Sequence, residues 1–239
     1  MFFQKKACLF ALTLACALPF FASIAKASVT LERLAVIVDS KTGEGVNNVK
    51  NTFPYPILLH SFIEDIPEDT TTKIIVSPPV VRIEPGETQM VRFMLNGDQK
   101  SKKDTLKRAV FEAIPPESTG IKFVLQQAVP LFVHVNAAEQ ENAEDTYKKL
   151  QWTRDGKQLN VVNNSNQVVM FMPQLTLLPS KEQAVLSGGY LLPGQQRVAG
   201  LSDATSAFSS LSLLPVNDYG HTTKEIVSSV TDLMTKAPT

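Results

Sequence analysis

The stretch that decides the fold is Ile121–Val135, IKFVLQQAVPLFVHV. Every second residue in it is apolar, with Gln127 as the single interruption. A period of two is typical of a β-strand that buries one whole face. At about 3.3 Å per residue the segment would extend over roughly 50 Å, which is longer than an ordinary strand. Such a strand is either the spine of a domain or a surface that the protein offers to another chain.

The residues on both sides of this segment predict an all-β fold. Short apolar or alternating runs continue along the chain, and turn signals separate them. Examples of these turns are Ser77-Pro78-Pro79, Glu84-Pro85-Gly86, Asn96-Gly97, Asp155-Gly156 and Asp39–Gly45. Several short strands at this spacing favour a β-sandwich.

The length of the chain fits two sandwich domains of about 100 residues each. The polar, acidic segment Asn136–Asp145 predicts the boundary between them. We therefore expect one domain over 28–138, a second over 139–225 and a polar tail over 226–239. The tail carries Ile226 and Val230 at helical spacing, which leaves two alternatives open, a frayed end or a docking helix.

The N-terminus has the pattern of a secretory signal peptide over residues 1–27. Lys5 and Lys6 precede an apolar run, and Ala25-Lys26-Ala27 has the small residues of a cleavage site. The apolar run is too short for a membrane span, and no later segment approaches the length that a span requires. The sequence therefore predicts an exported protein without a membrane anchor.

Composition excludes several classes of function. The two cysteines, Cys8 and Cys16, both precede the expected cleavage site, so the exported chain depends on its core without disulfides. Loss of three signal-peptide lysines leaves a net charge of about −3, which argues against a nucleic-acid binder. The three histidines do not have metal-ligand spacing, and motifs for a nucleophile or a phosphate are absent. We expect no catalytic residue, no metal and no cofactor.

Three motifs together carry a family resemblance. They are KIIVSPPVVRIEPGETQMVRF over Lys73–Phe93, FEAIPP over Phe111–Pro116 and VNDYG over Val216–Gly220. In this order and at these intervals they resemble the periplasmic chaperones of the chaperone–usher pathway, which assemble pili and surface fibres. The segments Lys107–Glu112 and Val129–Val133 look more like the archaic or alternate branches of that family.

The resemblance implies two immunoglobulin-like β-sandwiches set in an L. It also implies that the long strand completes a pilin or fibre subunit that lacks its own last strand, before delivery to an outer-membrane usher in the periplasm. By position, Ile121, Phe123, Leu125 and Val129 would enter the groove of the subunit. The alternative is that this face packs inside its own domain, and we favour that alternative for Val129–Val135.

The chain departs from the family at the site that holds the C-terminal carboxylate of the subunit. Well-known members use an Arg and a Lys there, and the corresponding positions of this chain are Ala35 and Pro130. Other cations near these positions are candidate anchors: Arg33, Arg92 and Lys122.

The resemblance also suggests a polar contact at the domain junction and a cis peptide bond. Asp218 of the VNDYG motif would contact Arg92, although an Asp that only shapes the turn before Gly220 is an equal alternative. The cis bond would lie within Ser77-Pro78-Pro79. A function from another class also remains open, namely an exported two-domain surface or adhesion protein without a client.

Overall fold

The structure is a computed structural model that describes residues 29–97, 102–116, 123–135, 143–202 and 205–233. The expected signal peptide lies outside these residues, as do Ile121 and Lys122. Within the described ranges, the helical content includes no segment with the length and hydropathy of a membrane span.

The first domain is a nine-stranded sheet folded around one core. Its strands are β1 (Val29–Leu31), β2 (Val36–Asp39), β3 (Glu44–Asn51), β4 (Ile57–Glu64), β5 (Ile74–Ser77), β6 (Val80–Ile83), β7 (Thr88–Leu95), β8 (Thr105–Ile114) and β9 (Leu125–His134). The strand order is β5-β7-β3-β2-β9-β8-β4-β6, with β1 paired to β3. The apolar face of β9 contributes Leu131 and Val133 to the core, where both are fully buried.

The second domain has one short helix and ten strands. These elements are α1 (Ala143–Lys148), β10 (Leu150–Asp155), β11 (Gln158–Asn163), β12 (Val169–Phe171), β13 (Gln174–Leu178), β14 (Gln183–Val185), β15 (Tyr190–Leu191), β16 (Gln196–Gly200), β17 (Ser210–Leu213), β18 (Pro215–Val216) and β19 (Ile226–Asp232). Seven strands form a sheet of order β14-β13-β17-β19-β10-β11-β16, and β15-β12-β18 form a second sheet. Trp152 and Leu175 lie in the core of this domain. The prediction of an all-β chain with two sandwich domains is confirmed.

The prediction of a polar tail from residue 226 is wrong, because Ile226–Asp232 is strand β19. Val230 pairs with Trp152 of β10, and Val227 pairs with Ser212 of β17. Ile226 and Val230 are four residues apart, a separation that places side chains on one face of a strand as well as of a helix. The periodicity therefore could not distinguish the two, and the pairing with neighbouring strands decided the outcome.

The turn expected over Asp39–Gly45 is shorter than predicted, because strand β3 begins at Glu44. Gly45, Asn47 and Asn48 are residues typical of turns. In the structure, Asn47 is buried, and its side-chain amide donates to the carbonyl of Arg33 at 2.8 Å. Its side-chain oxygen accepts from the backbone N–H of Arg33 at 3.2 Å. The polar side chain thus satisfies the backbone in the break between β1 and β2.

The two domains pack directly against each other. Phe132 of β9 and Leu106 of β8 are buried in a cluster that also contains Val168 of the second domain. Met170 and Tyr190 of the second domain pack against this cluster. The backbone N–H of Asp104 also donates to the carbonyl of Asn166 at 2.9 Å. The side of β9 that carries Phe132 is therefore a domain interface, which explains why the last residues of the strand are apolar on both faces.

Candidate functional site

Strand β9 has two halves with different neighbours. Strand β8 pairs with it along nearly its whole length, from Leu125 opposite Ala113 to Val133 opposite Thr105. Strand β2 pairs with it only from Leu131 to His134. Among the described residues, the second edge of Leu125–Pro130 therefore has no ladder partner. Unpaired backbone N–H and C=O groups along such an edge can accept another strand.

The side chains beside this free edge are exposed and apolar. Phe123 is 82% exposed, and Leu125 is 41% exposed. Val129, which the sequence assigned to the same surface, is only 8% exposed and packs in the core of the first domain. Its assignment to a client-facing surface is wrong, because Val129 lies where β9 enters the sandwich beside Leu131. Ile121, the first residue of the predicted set, lies outside the described residues.

Gln127 interrupts the apolar alternation for a structural reason. Its side-chain amide donates a hydrogen bond to the carbonyl of Val29 in β1 at 3.0 Å. Strand β1 pairs with β3, and the described residues of β1 and β9 share no ladder. The Gln127 side chain therefore spans the gap between these two strands at the point where the exposed half of β9 gives way to the buried half.

The candidate anchors differ in position. Arg33 lies three residues before Val36, which pairs with Leu131, and so stands beside the end of the free edge of β9. Its side chain is exposed. Arg92 lies on β7, which β3 and β2 separate from β9, and its guanidinium contacts Glu44 at 2.8 Å. The structure therefore leaves Arg33 near the free edge and places Arg92 away from it, while Lys122 lies outside the described residues.

Asp218 contacts His134 rather than Arg92, so the predicted pair of Arg92 and Asp218 is wrong. His134 lies at the end of β9 and uses both ring nitrogens, with Nδ1 at 2.8 Å from Asp104 and Nε2 at 3.1 Å from Asp218. The backbone N–H of Val135 donates to the other oxygen of Asp104 at 2.9 Å. The VNDYG motif does supply a polar contact at the domain junction, and its partner there is a histidine.

The charge of His134 follows from these contacts. Burial lowers the pKa of the imidazole, but the hydrogen bonds to Asp104 and Asp218 outweigh burial and raise the pKa to about 9. His134 is therefore protonated at neutral pH, and two carboxylates from the two domains share its positive charge.

Both domains of the chain match known protein families. Residues 28–138 match the family described as "Pili and flagellar-assembly chaperone, PapD N-terminal domain", and residues 145–227 match "Pili assembly chaperone PapD, C-terminal domain". The curated protein "Uncharacterized fimbrial chaperone YhcA" of Escherichia coli (strain K12) is 32% identical over 203 residues, which cover 83% of this chain and 89% of that protein. The chain belongs to the PapD-like pilus-assembly chaperones.

Solved structures of PapD-like chaperones have the same fold. The YadV chaperone is similar with a TM-score of 0.70 at 18% identity, over 85% of this chain and 100% of that one. The SafB chaperone of Salmonella enterica, solved in complex with the SafA pilin, has a TM-score of 0.70 at 21% identity. That match covers 84% of this chain and 96% of the other. The Ser77–Pro78 bond of this PapD-like chain is cis, as the resemblance suggested.

Sequence reasoning missed two polar groups of this PapD-like chaperone that lie between its domains. Glu68 accepts hydrogen bonds from Tyr190 at 3.1 Å, from Gln195 at 3.0 Å and from Arg197 at 3.2 Å. Arg108 lies opposite Pro130 and borders a cleft of about 290 Å³ that Met170 and Tyr190 also line. The sequence gives no sign of Glu68, because its partners are more than a hundred residues away along the chain.

Proposed function

We propose that this chain is a periplasmic chaperone that holds an incomplete fibre subunit by adding strand β9 to it. The observation that carries this proposal is the free edge of Leu125–Pro130 beside two exposed apolar side chains, Phe123 and Leu125. Membership of the PapD-like family supports the role in pilus assembly. The complex of the SafB chaperone with the SafA pilin supports a pilin as the type of partner.

The physical basis is the completion of an unfinished sandwich. A subunit that lacks one strand exposes unpaired backbone groups and an apolar groove, and both promote aggregation. A strand added from β9 would pair with that backbone, while alternate side chains would fill the groove. Phe123 and Leu125 are the described side chains that we assign to it, with Ile121 as a further member by sequence position.

We assign the subunit carboxylate to Arg33. Its guanidinium is exposed, and its backbone is fixed through Asn47 next to the point where β2 begins to cover β9. An arginine can bind a carboxylate through two parallel hydrogen bonds. Arg33→Gln should weaken subunit capture without lowering the melting temperature of the free chaperone. If Arg33→Gln captures the subunit as well as the wild type does, the assignment of the carboxylate to Arg33 is wrong.

Delivery to an outer-membrane usher completes the proposal. It is supported by family membership and by the signal pattern over residues 1–27, which is typical of export. The chaperone–subunit complex would be the form that reaches the usher. In a strain without the usher, coexpression should therefore leave the complex in the periplasm.

A pair of aspartate substitutions tests strand donation. Phe123→Asp would place an unpaired carboxylate in an apolar groove, at a cost on the order of 4 kcal/mol, or about a thousandfold in affinity. Gln126→Asp is the matched control, because Gln126 is also exposed and faces the opposite side of β9 from Leu125. Each variant is coexpressed with a fibre subunit from the same organism, and the complex is purified from the periplasm.

The two variants give distinct outcomes. We expect Phe123→Asp to lose the subunit and Gln126→Asp to retain it, with both free proteins melting near the wild-type temperature because both positions are exposed. If Phe123→Asp unfolds the free chaperone, Phe123 belongs to its own core and the donor assignment is wrong. If wild-type chaperone never captures a subunit, the proposed function itself is wrong.

A further inference from the structure

We propose that Gln127 sets the register in which a subunit strand pairs with β9. This inference rests on the proposed function and adds a residue that determines how the partner is held. Its starting point is that Leu125, Gln127 and Val129 project from one face of the strand, since they alternate along it.

The three residues occupy different environments. Leu125 is exposed, Gln127 is half-buried and Val129 is buried in the core of the chaperone. Gln127 therefore lies at the boundary between the exposed part of this face, which is open to a partner, and the part that packs in the core of the chaperone.

A hydrogen bond holds the Gln127 side chain in place at this boundary. Its amide donates to the carbonyl of Val29, which belongs to a strand held in place by β3. Val29 is itself buried. This bond satisfies one of the two amide N–H groups of Gln127, which lowers the cost of covering the side chain with a bound partner.

Apart from the carboxylate contact assigned to Arg33, the register along an alternating strand is poorly specified. A shift by two residues keeps every side chain on the same face, so apolar alternation alone does not distinguish the two registers. With Gln127 present, a subunit shifted by two residues toward the C-terminal end of β9 would receive an amide in an apolar pocket. To enter that pocket, the amide would have to give up its hydrogen bond to the Val29 carbonyl, and the apolar pocket offers no replacement. The free-energy cost of this unpaired amide disfavours the shifted register.

Cysteine crosslinking measures the register directly. Both natural cysteines lie in the segment expected to be removed on export, so Val124→Cys would supply the single thiol of the exported chaperone. Val124 is exposed and lies between Phe123 and Leu125, on the face of the extended chain that points away from the groove. The fibre subunit used for capture receives one cysteine at successive positions of its groove strands. In the otherwise wild-type chaperone, we expect one groove position to dominate the crosslinked product.

The effect of Gln127 is tested in that background with Gln127→Leu, and Gln126→Leu is the matched control on the opposite face. We expect Gln127→Leu to add a second crosslink two residues away in comparable yield, and Gln126→Leu to keep a single one. A single unchanged position in Gln127→Leu overturns the inference, as does loss of capture by a variant that still melts as the free wild type. Absence of any complex with the unsubstituted chaperone would instead contradict the proposed function.

Discussion

His134 is the residue whose ionisation most directly links the two domains. Asp104 from the first domain and Asp218 from the second contact its two ring nitrogens. Tyr147 also lies at this junction, where its hydroxyl donates to the carbonyl of Met170 and burial raises its pKa. The protonated imidazole is thus held between two carboxylates, and its neutral form can donate to only one of them.

The stability of the protein should therefore depend on pH through His134. Its pKa is about 9 in the folded protein and near 6.5 in an unfolded chain, so the stabilisation is complete below pH 6.5. It decreases as the pH rises from 6.5 to about 9, by at most about 3.5 kcal/mol. Thermal melts across this range should show a decrease in the melting temperature of the wild type.

His134→Gln should reduce this pH dependence, because the amide does not titrate. His221→Gln is a suitable control, since His221 is exposed in the turn after the VNDYG motif. An equal decrease between pH 6.5 and 9 in all three proteins would show that another group is responsible.

At the level of elements, β9 is the strand on which the proposed function depends. The subunit would be held by a backbone ladder and apolar side chains, and both can be supplied equally well by another strand of suitable sequence. A peptide copied from the donor strand of a fibre subunit should therefore displace the chaperone when added to the purified complex, without nucleotide or metal. Release can be followed by native gel electrophoresis.

Two results would contradict this mechanism of release. One is a strict requirement for nucleotide or a metal ion in the exchange reaction. The other is an equal rate of release with a peptide of the same composition in scrambled order, since a scrambled peptide loses the alternation that matches the groove.

The sequence predicted well those elements whose signal lies within one continuous segment, such as alternation along a strand. It predicted poorly those features that depend on residues far away in the chain. The alternation of Ile121–Val135 predicted a strand, and the structure has one over Leu125–His134, which is shorter because Phe123 and Val124 lie outside it and residues 121 and 122 are not described. The preference for self-packing over Val129–Val135 agrees with the burial of Leu131 and Val133. The start of strand β3 was not predicted, because Gly45 and Asn47 are residue types common in turns. In the structure the side chain of Asn47 instead hydrogen-bonds the backbone of Arg33, 14 residues away in sequence. The partner of Asp218 could not be predicted either, because His134 lies 84 residues away in sequence.

On the scale of the whole molecule, several kinds of contact among the described residues join the two domains. An apolar cluster includes Phe132 and Val168, the charged contact involves His134, and Glu68 accepts hydrogen bonds from three side chains of the second domain. Because β9 contributes Phe132 and His134, the strand proposed to hold a subunit also holds the second domain. The position of the free edge is therefore fixed relative to both domains.

The place of β19 in the second domain has a consequence for the order of folding as the chain emerges into the periplasm. This strand lies between β17 and β10, yet it follows every other described strand in the chain. While residues 226–232 have not yet emerged into the periplasm, the strands on either side of β19 have no partner between them. The first domain depends in the same way on its own last strand, since β9 lies between β2 and β8, but β9 ends at His134 and therefore emerges earlier. A stalled or prematurely ended polypeptide would thus carry a finished first domain and a divided second one, which is a substrate for quality-control proteases.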